Sequence, residues 1–147
     1  MDFKDLITDF AERHGIANLA AEDNAAALDI DGIVVTLVAA DDVLSVSAEI
    51  GEPPVDGRAE FAELLLEANL QSEPFFAKES ESGAYILVRR LSLLSLDAES
   101  FDAALEVLVN LAETWHRLLA DFRPVAKAAA ERTEELPQFG ANGFVQV

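Results

Sequence analysis

Cysteine is absent from this sequence of 147 residues, which excludes a disulfide framework, a thiolate metal site and thiol redox chemistry. Bases are scarce: ten lysines and arginines stand against 28 aspartates and glutamates, a formal net charge of −18. A chain so acidic repels a phosphate backbone, so nucleic acid is excluded as a partner and neutral or basic partners are expected. The two histidines, His14 and His116, have no neighbouring ligand at metal spacing, and no HExxH pattern, Walker loop or glycine-rich phosphate cradle occurs. Asp29-Ile30-Asp31-Gly32 begins like a calcium loop but lacks its closing glutamate, and its Asp-Gly pair reads as a hairpin turn. No assembled nucleophile, base and oxyanion donors stand out among the many carboxylates. The expectation is a protein with no catalytic residue, no metal and no cofactor.

Long apolar runs are missing as well. The longest candidate, Phe101 to Phe122, contains Asp102, Glu106, Glu113, His116, Arg117 and Asp121, which excludes membrane insertion. The first twenty residues carry Asp2, Asp5, Asp9 and Glu12 where an export signal has a basic start and an apolar run, so a cytoplasmic protein is expected.

What is present is a hydrophobic fraction of 51%, enough for one domain with its own core. The domain is expected over residues 1–123, with 124–147 as a kinked helical extension and an apolar tail. Tyr85 to Leu94 reads as an apolar strand, followed by Asp97 as a helix N-cap with Glu99 in the first turn. From there Phe101, Leu105, Leu108, Ala112, Trp115, Leu119 and Phe122 step by four and three along one helical face, which Val107, Leu111 and Leu118 widen. Such a stripe is suited to covering a sheet. Pro124 must end or kink that helix.

Ahead of this unit, Phe3, Leu6, Ile7 and Phe10 predict a first helix from Asp2 to His14, stopped by Gly15, with 16–24 as a connector. These four side chains either cover the sheet or line a groove for a partner. Three strands follow, Ala26 to Ile30, Ile33 to Ala40 and Val43 to Ile50, divided by Asp31-Gly32 and Asp41-Asp42. Ile33 to Ala40 is apolar on both faces, so it is covered on each side or one face awaits something outside the chain. Arg58 to Leu70 predicts a second helix with two stripes: Phe61, Leu64, Leu65 and Ala68 toward the core, and Ala59, Ala62, Leu66 and Leu70 beside them. Exposing Leu66 and Leu70 forgoes about 1.5 to 3 kcal/mol each, which argues for a second buried surface on another subunit. Phe75 to Glu79 makes the next strand. Arg89-Arg90 is read as forming salt bridges within the chain, and Trp115 as packing. The expected fold is therefore α+β, an antiparallel five-stranded sheet with three main helices in the order α-β-β-β-α-β-β-α.

That order, together with Phe3-x-x-Leu6-Ile7-x-x-Phe10, the run Phe61-x-x-Leu64-Leu65-Leu66-Glu67-Ala68-Asn69 and the closing Leu91-Ser92-Leu93-Leu94-Ser95-Leu96-Asp97, resembles the class I type III secretion chaperones, the Tir chaperone family. The resemblance spans about residues 1 to 122. It implies a cytoplasmic homodimer that holds an extended N-terminal segment of a secreted effector without hydrolysing nucleotide. On that expectation Phe3, Leu6, Ile7, Phe10, Val34 and Val38 bind the effector, and Ala62, Leu66, Leu70, Phe75 and Phe76 form the dimer interface. The charge distribution agrees: residues 1–57 hold 13 acids and 2 bases and 97–147 hold 9 and 4, but 58–96 hold only 6 and 4, the least repulsive third. The tail, with Phe139, Phe144 and Val145, is available to fill a groove when no partner does. The alternatives are an interaction or sensory module of the same fold that binds a folded partner, or an acidic decoy of DNA.

Overall fold

Capping and turn chemistry divide the chain where the sequence indicates. In the computed structural model, residues 2–17 and 19–124 are described; the expected extension and tail beyond Pro124 lie outside them. Helix α1 (Phe3–His14) starts where the Asp5 N–H donates to Asp2 Oδ1 at 2.9 Å and ends at Gly15 in the left-handed region, φ 64°. The strands β1 (Leu19–Ala21), β2 (Ala25–Ile30), β3 (Ile33–Ala40) and β4 (Val43–Gly51) follow as an antiparallel meander. Asp31 and Gly32 both take positive φ between β2 and β3, and Asp29 Oδ1 accepts the Gly32 N–H at 2.9 Å. Helix α2 (Arg58–Ala68), strands β5 (Phe75–Lys78) and β6 (Tyr85–Ser92), and helix α3 (Ala98–Ala120) complete the order. At the start of α3, Asp97 and Ser100 cap each other reciprocally, as the sequence indicates for Asp97. Hydrogen bonds from Ser100 hold the Asp97 carboxyl below its ordinary range.

The sheet has six strands, in spatial order β1-β2-β3-β4-β6-β5, where the sequence predicts five. The additional strand is β1, inside the expected connector. Three residues rich in alanine carry no alternation of their own. Pairing Leu19, Ala20 and Ala21 against Leu28, Ala27 and Ala26 makes them a strand, a tertiary effect that propensity does not encode. The α+β class and the three helices stand as expected.

All three helices pack on one face. Val35, Leu37, Leu44, Val46, Ala48 and Leu87 point from the sheet into a single core with Phe3, Leu6, Ile7 and Phe10 of α1, Phe61 and Leu65 of α2, and Phe101, Leu105, Leu108 and Ala112 of α3. Phe10 meets Phe101 edge to face at 5.3 Å. Val107 and Leu118, expected to widen the α3 stripe, are exposed, and so is Leu64 of α2; the helices cover the sheet with a narrower face than the sequence suggests. Around α2, Phe61 sits among Tyr85, Trp115 and Phe122 at 5.0 to 6.1 Å, and Phe76 meets Trp115 at 4.8 Å. Trp115 is therefore packing, as the sequence indicates. At the far end of α3, His116 Nδ1–H donates to the Ile50 carbonyl at 2.7 Å and ties the helix to β4.

Strand β5 is a sheet edge, and Asn69 closes it. Its Oδ1 accepts the Phe76 N–H at 2.6 Å and its Nδ2 donates to the Phe76 carbonyl at 3.4 Å, so one carboxamide stands where a residue of a further strand would pair. Removing it orphans a partly buried amide, which costs about 1 to 3 kcal/mol. The expected outcome of Asn69→Ala is a stability loss of about that size in urea unfolding, together with concentration-dependent association through the opened edge. A stability equal to wild type with no association would show that the carboxamide does neither.

Candidate functional site

Among the described residues, no group of three His, Asp or Glu side chains could hold a metal ion, and no helix is long and apolar enough to cross a membrane. A cluster of ionisable groups joins α1 to α3. Asp102 accepts from both Arg13 terminal nitrogens, Nη2 at 2.8 Å, and from His14 Nε2 at 3.1 Å, while Arg13 Nε also reaches Asp9 at 2.7 Å. The Arg13 hydrogen bond, ahead of the smaller His14 contribution, holds the Asp102 carboxyl below its ordinary range. The sequence places His14 against the end of its helix; the structure adds the partner on α3. Arg89 pairs with Glu73 at 3.4 Å, as expected, whereas Arg90 lies over the Phe75 ring at 5.2 Å, a cation–π contact in place of the expected salt bridge.

What the structure does offer is uncovered apolar surface, and two stretches of it bear on the expected sites. The first is the sheet face opposite the helices. Directly paired residues share a face, which puts Ala20, Ala27, Thr36, Ser47, Val88 and Phe75 in one row across six strands. Val34 and Val38 flank this row, each 45% exposed, with Val43 beyond them. The charges paired into this face are few, with Asp29 and Glu49 toward the β2–β3 turn and Arg90 toward the other end. Of the two explanations for a strand apolar on both sides, the structure therefore supports the second: β3 has one face under the helices and the other open.

The second surface runs along α2. Leu66 and Leu70 are 67% and 88% exposed. Beside them a groove of about 540 Å³ separates α2 from β5, lined by Arg58, Ala59, Ala62, Leu66, Phe76 and Ala77 among others. Of the residues expected at a dimer interface, Ala62, Leu66 and Leu70 lie on this exposed side. Phe76 reaches the groove from the core, and Phe75 is half-buried on the opposite sheet face. Of those expected to bind an effector, Val34 and Val38 are open. Phe3, Leu6, Ile7 and Phe10 are between 1% and 6% exposed and pack against the sheet, and Phe3 and Phe10 also line clefts at the two ends of α1. Sequence reasoning missed the edge closure by Asn69, whose only signal is an asparagine just after a leucine run.

A sequence model of the Tir chaperone protein (CesT) family matches residues 5–116. The chain belongs to that family. Curated protein sequences give no significant match. Among solved structures, a chain of the ExsC–ExsE complex superposes with a TM-score of 0.68 at 25% identity, covering 86% of this chain and 99% of the other. A chain of the HopA1–SchA chaperone–effector complex gives 0.63 at 18%, covering 78% and 93%. One from the complex of the Yersinia pestis type III secretion chaperone SycH with a stable fragment of YscM2 gives 0.60 at 21%, covering 78% and 99%. At these identities the last two show the fold alone. The fold of this family member is thus that of type III secretion chaperones.

The α1–α3 link has a definite pH dependence. A carboxyl held below its ordinary value contributes stability above the unfolded pKa of about 3.9, and that contribution is lost as the pH falls through the lower folded value. In denaturant unfolding between pH 7 and pH 2, Asp102→Asn is expected to be less stable than wild type at neutral pH, with the difference shrinking below about pH 4. A difference that stays constant across that range would dissociate the link from Asp102 ionisation.

Proposed function

We propose that this protein is a non-enzymatic type III secretion chaperone that acts as a homodimer and holds an extended N-terminal segment of a secreted effector. Family membership sets the class. The single observation that carries the rest is the sparsely charged, uncovered sheet face on which Val34 and Val38 stand exposed, because a domain of this size has no need to leave such a face open for its own stability. An extended client gains main-chain hydrogen bonds by adding to a sheet edge and specificity by setting alternate side chains against neighbouring pockets. With Asn69 occupying the β5 edge, β1 is the edge available for such pairing, and β1 follows directly on α1. The client's apolar side chains then spread over the open face, with Val34 and Val38 as contacts; Phe3, Leu6, Ile7 and Phe10 support that contact from beneath the sheet.

Dimerisation uses the α2 face. At −18 per chain, two copies approach most easily through the segment of lowest charge, and Ala62, Leu66 and Leu70 lie there. Burying the two leucines contributes about 1.5 to 3 kcal/mol each. Phe75 and Phe76 stiffen the adjoining strand.

Two measurements separate the parts of this reading. In sedimentation analysis, wild type is expected at twice 15.9 kDa and the double variant Leu66→Asp with Leu70→Asp at 15.9 kDa, folded as judged by circular dichroism because both side chains are exposed on the single chain. Equal masses for the two proteins would overturn the interface. For the client, the tagged protein is expected to co-purify from its native cells with one secreted protein whose N-terminal segment is protected from protease. Val34→Asp with Val38→Asp is expected to abolish this without lowering the melting temperature. Retention of the client by that variant, or recovery of a folded partner alone, would remove the proposed contact.

A further inference from the structure

Val107, Leu111 and Leu118, which the sequence assigns to a wider core face of α3, belong to a stripe of their own. Ala104, Val107, Leu111, Thr114 and Leu118 follow one another by steps of three and four. On a helix of 3.6 residues per turn they fall within about 80° of arc, and Glu106, Glu113 and Arg117 stand about 60° or more outside it. Val107 and Leu118 are 52% and 49% exposed, and Leu111 is half-buried. Thr114 donates its hydroxyl proton to the Asn110 carbonyl at 3.1 Å, so its polar atom is satisfied within the helix. The result is an uncharged arc about 21 Å long on a chain that carries 28 acids.

At its N-terminal end the stripe opens into a cleft of about 370 Å³ between α3 and the end of β6, lined by Arg89, Leu91, Leu96, Ala103, Ala104 and Val107 among others. Of the residues that line it none is acidic; Asp97 and Glu99, at the same end of α3, are not among them. Arg89 supplies its charge. Its Nη1 meets Glu73 at 3.4 Å, but Glu73 is 78% exposed against 25% for Arg89, so this is a loose surface contact that leaves further guanidinium donors available.

We propose that this flank of α3 docks an amphipathic α-helix of a partner protein, antiparallel to α3, with a carboxylate of its last turn on Arg89. The surface is separate from the open sheet face and from α2, and its use does not depend on theirs. Apolar side chains about 5 Å apart along an axis match the turns of another helix. In an extended segment the side chains on one side recur about every 6.7 Å and fall out of step. Charge sets the orientation. Arg89, in a cleft without acids, calls for a carboxylate at that end. An antiparallel partner also brings the negative end of its dipole to the positive end of α3, where a parallel one would set two positive ends together. A second copy of this chain is disfavoured as the occupant, because each carries −18 and the arc is bordered by Glu106 and Glu113.

The probe is a fluorescein-labelled peptide of about eighteen residues, enough to span the stripe as a helix. It has leucine at its heptad a and d positions, alanine and glutamine elsewhere and a pair of glutamates in the last turn; a control peptide has lysines there. By fluorescence anisotropy the full chain is expected to bind the glutamate peptide about tenfold more tightly than the lysine peptide. Val107→Asp with Leu118→Asp, folded by circular dichroism because both side chains are exposed, is expected to weaken that binding about tenfold or more. Arg89→Gln is expected to remove the preference between the peptides. Leu66→Asp with Leu70→Asp is expected to bind the probe as wild type does, so failure of the dimer reading leaves this one standing. No binding, equal affinities of wild type for the two peptides, or an affinity unchanged by Val107→Asp with Leu118→Asp would overturn the proposal. Sedimentation of wild type above the dimer mass, reversed by that same double variant, would give the flank to a second copy instead.

Discussion

One-sided burial is the constraint on which the rest of this structure depends. A six-stranded antiparallel sheet needs one covered face to be stable, and α1, α2 and α3 all lie on the same one. Burial of Val35, Leu37, Leu44, Val46 and Leu87 beneath α3 fixes the register of β3, β4 and β6, because a slip of one residue would move all five to the other face. That same register decides what the open face presents. Val34, Thr36 and Val38 are exposed because Val35 and Leu37 are not. The open surface is thus the necessary reverse side of the core, and a change that repacked the core would redraw the surface with it.

Charge then limits what can meet those surfaces. A strongly acidic chain resists self-association and nonspecific collapse, which lets it carry exposed valines and leucines without aggregating. Repulsion is long-ranged compared with apolar contact, however, so association is confined to patches where acids are sparse. The open sheet face, with two acids and one base paired into it, is such a patch, and the alanine and leucine side of α2 is another. The edge of β5 would be a third, but Asn69 fills it. Edge closure and charge act together here: one removes an unwanted pairing surface, and the other leaves the remaining surfaces open.

Most of the architecture was legible in the sequence because local signals and burial agree. Asp2, Gly15, Asp31-Gly32 and Asp97 mark boundaries by side-chain and backbone chemistry that acts within three or four residues. The period of α3 and the alternation of β4 follow from burial on one side. Strand β1 was not legible, since its identity comes from β2 and not from Leu19, Ala20 and Ala21 themselves. Nor was the fate of α1. Phe3, Leu6, Ile7 and Phe10 make the same pattern whether they cover a sheet or line a groove, and only the geometry of α3, through Phe101 against Phe10, decides for the sheet. For α2 the pattern carried the answer except at Leu64, which it placed toward the core and which is exposed. Two apolar stripes with acids between them signal a helix with one buried and one unsatisfied face, and the structure has Phe61 and Leu65 inside with Leu66 and Leu70 outside.

Helix α2 is accordingly the element where fold and assembly are hardest to separate. It buries only Phe61 and Leu65, so its attachment depends on anchors at its two ends and one in its middle. Gly57 is pinned beneath Phe122 and Pro124, Phe61 is held among Tyr85, Trp115 and Phe122, and Asn69 is bonded to Phe76. Each anchor touches either β5 or the end of α3. Whatever occupies the groove between α2 and β5 therefore presses on the same residues that hold the helix in place, and Phe76 connects the groove wall to Trp115. Trp115 is the single tryptophan of the chain, so its fluorescence reports on the groove through Phe76. An occupant that fills the groove should add burial to the least buried helix and stabilise the domain by linkage. Stability and occupancy at this site are then two readings of one equilibrium.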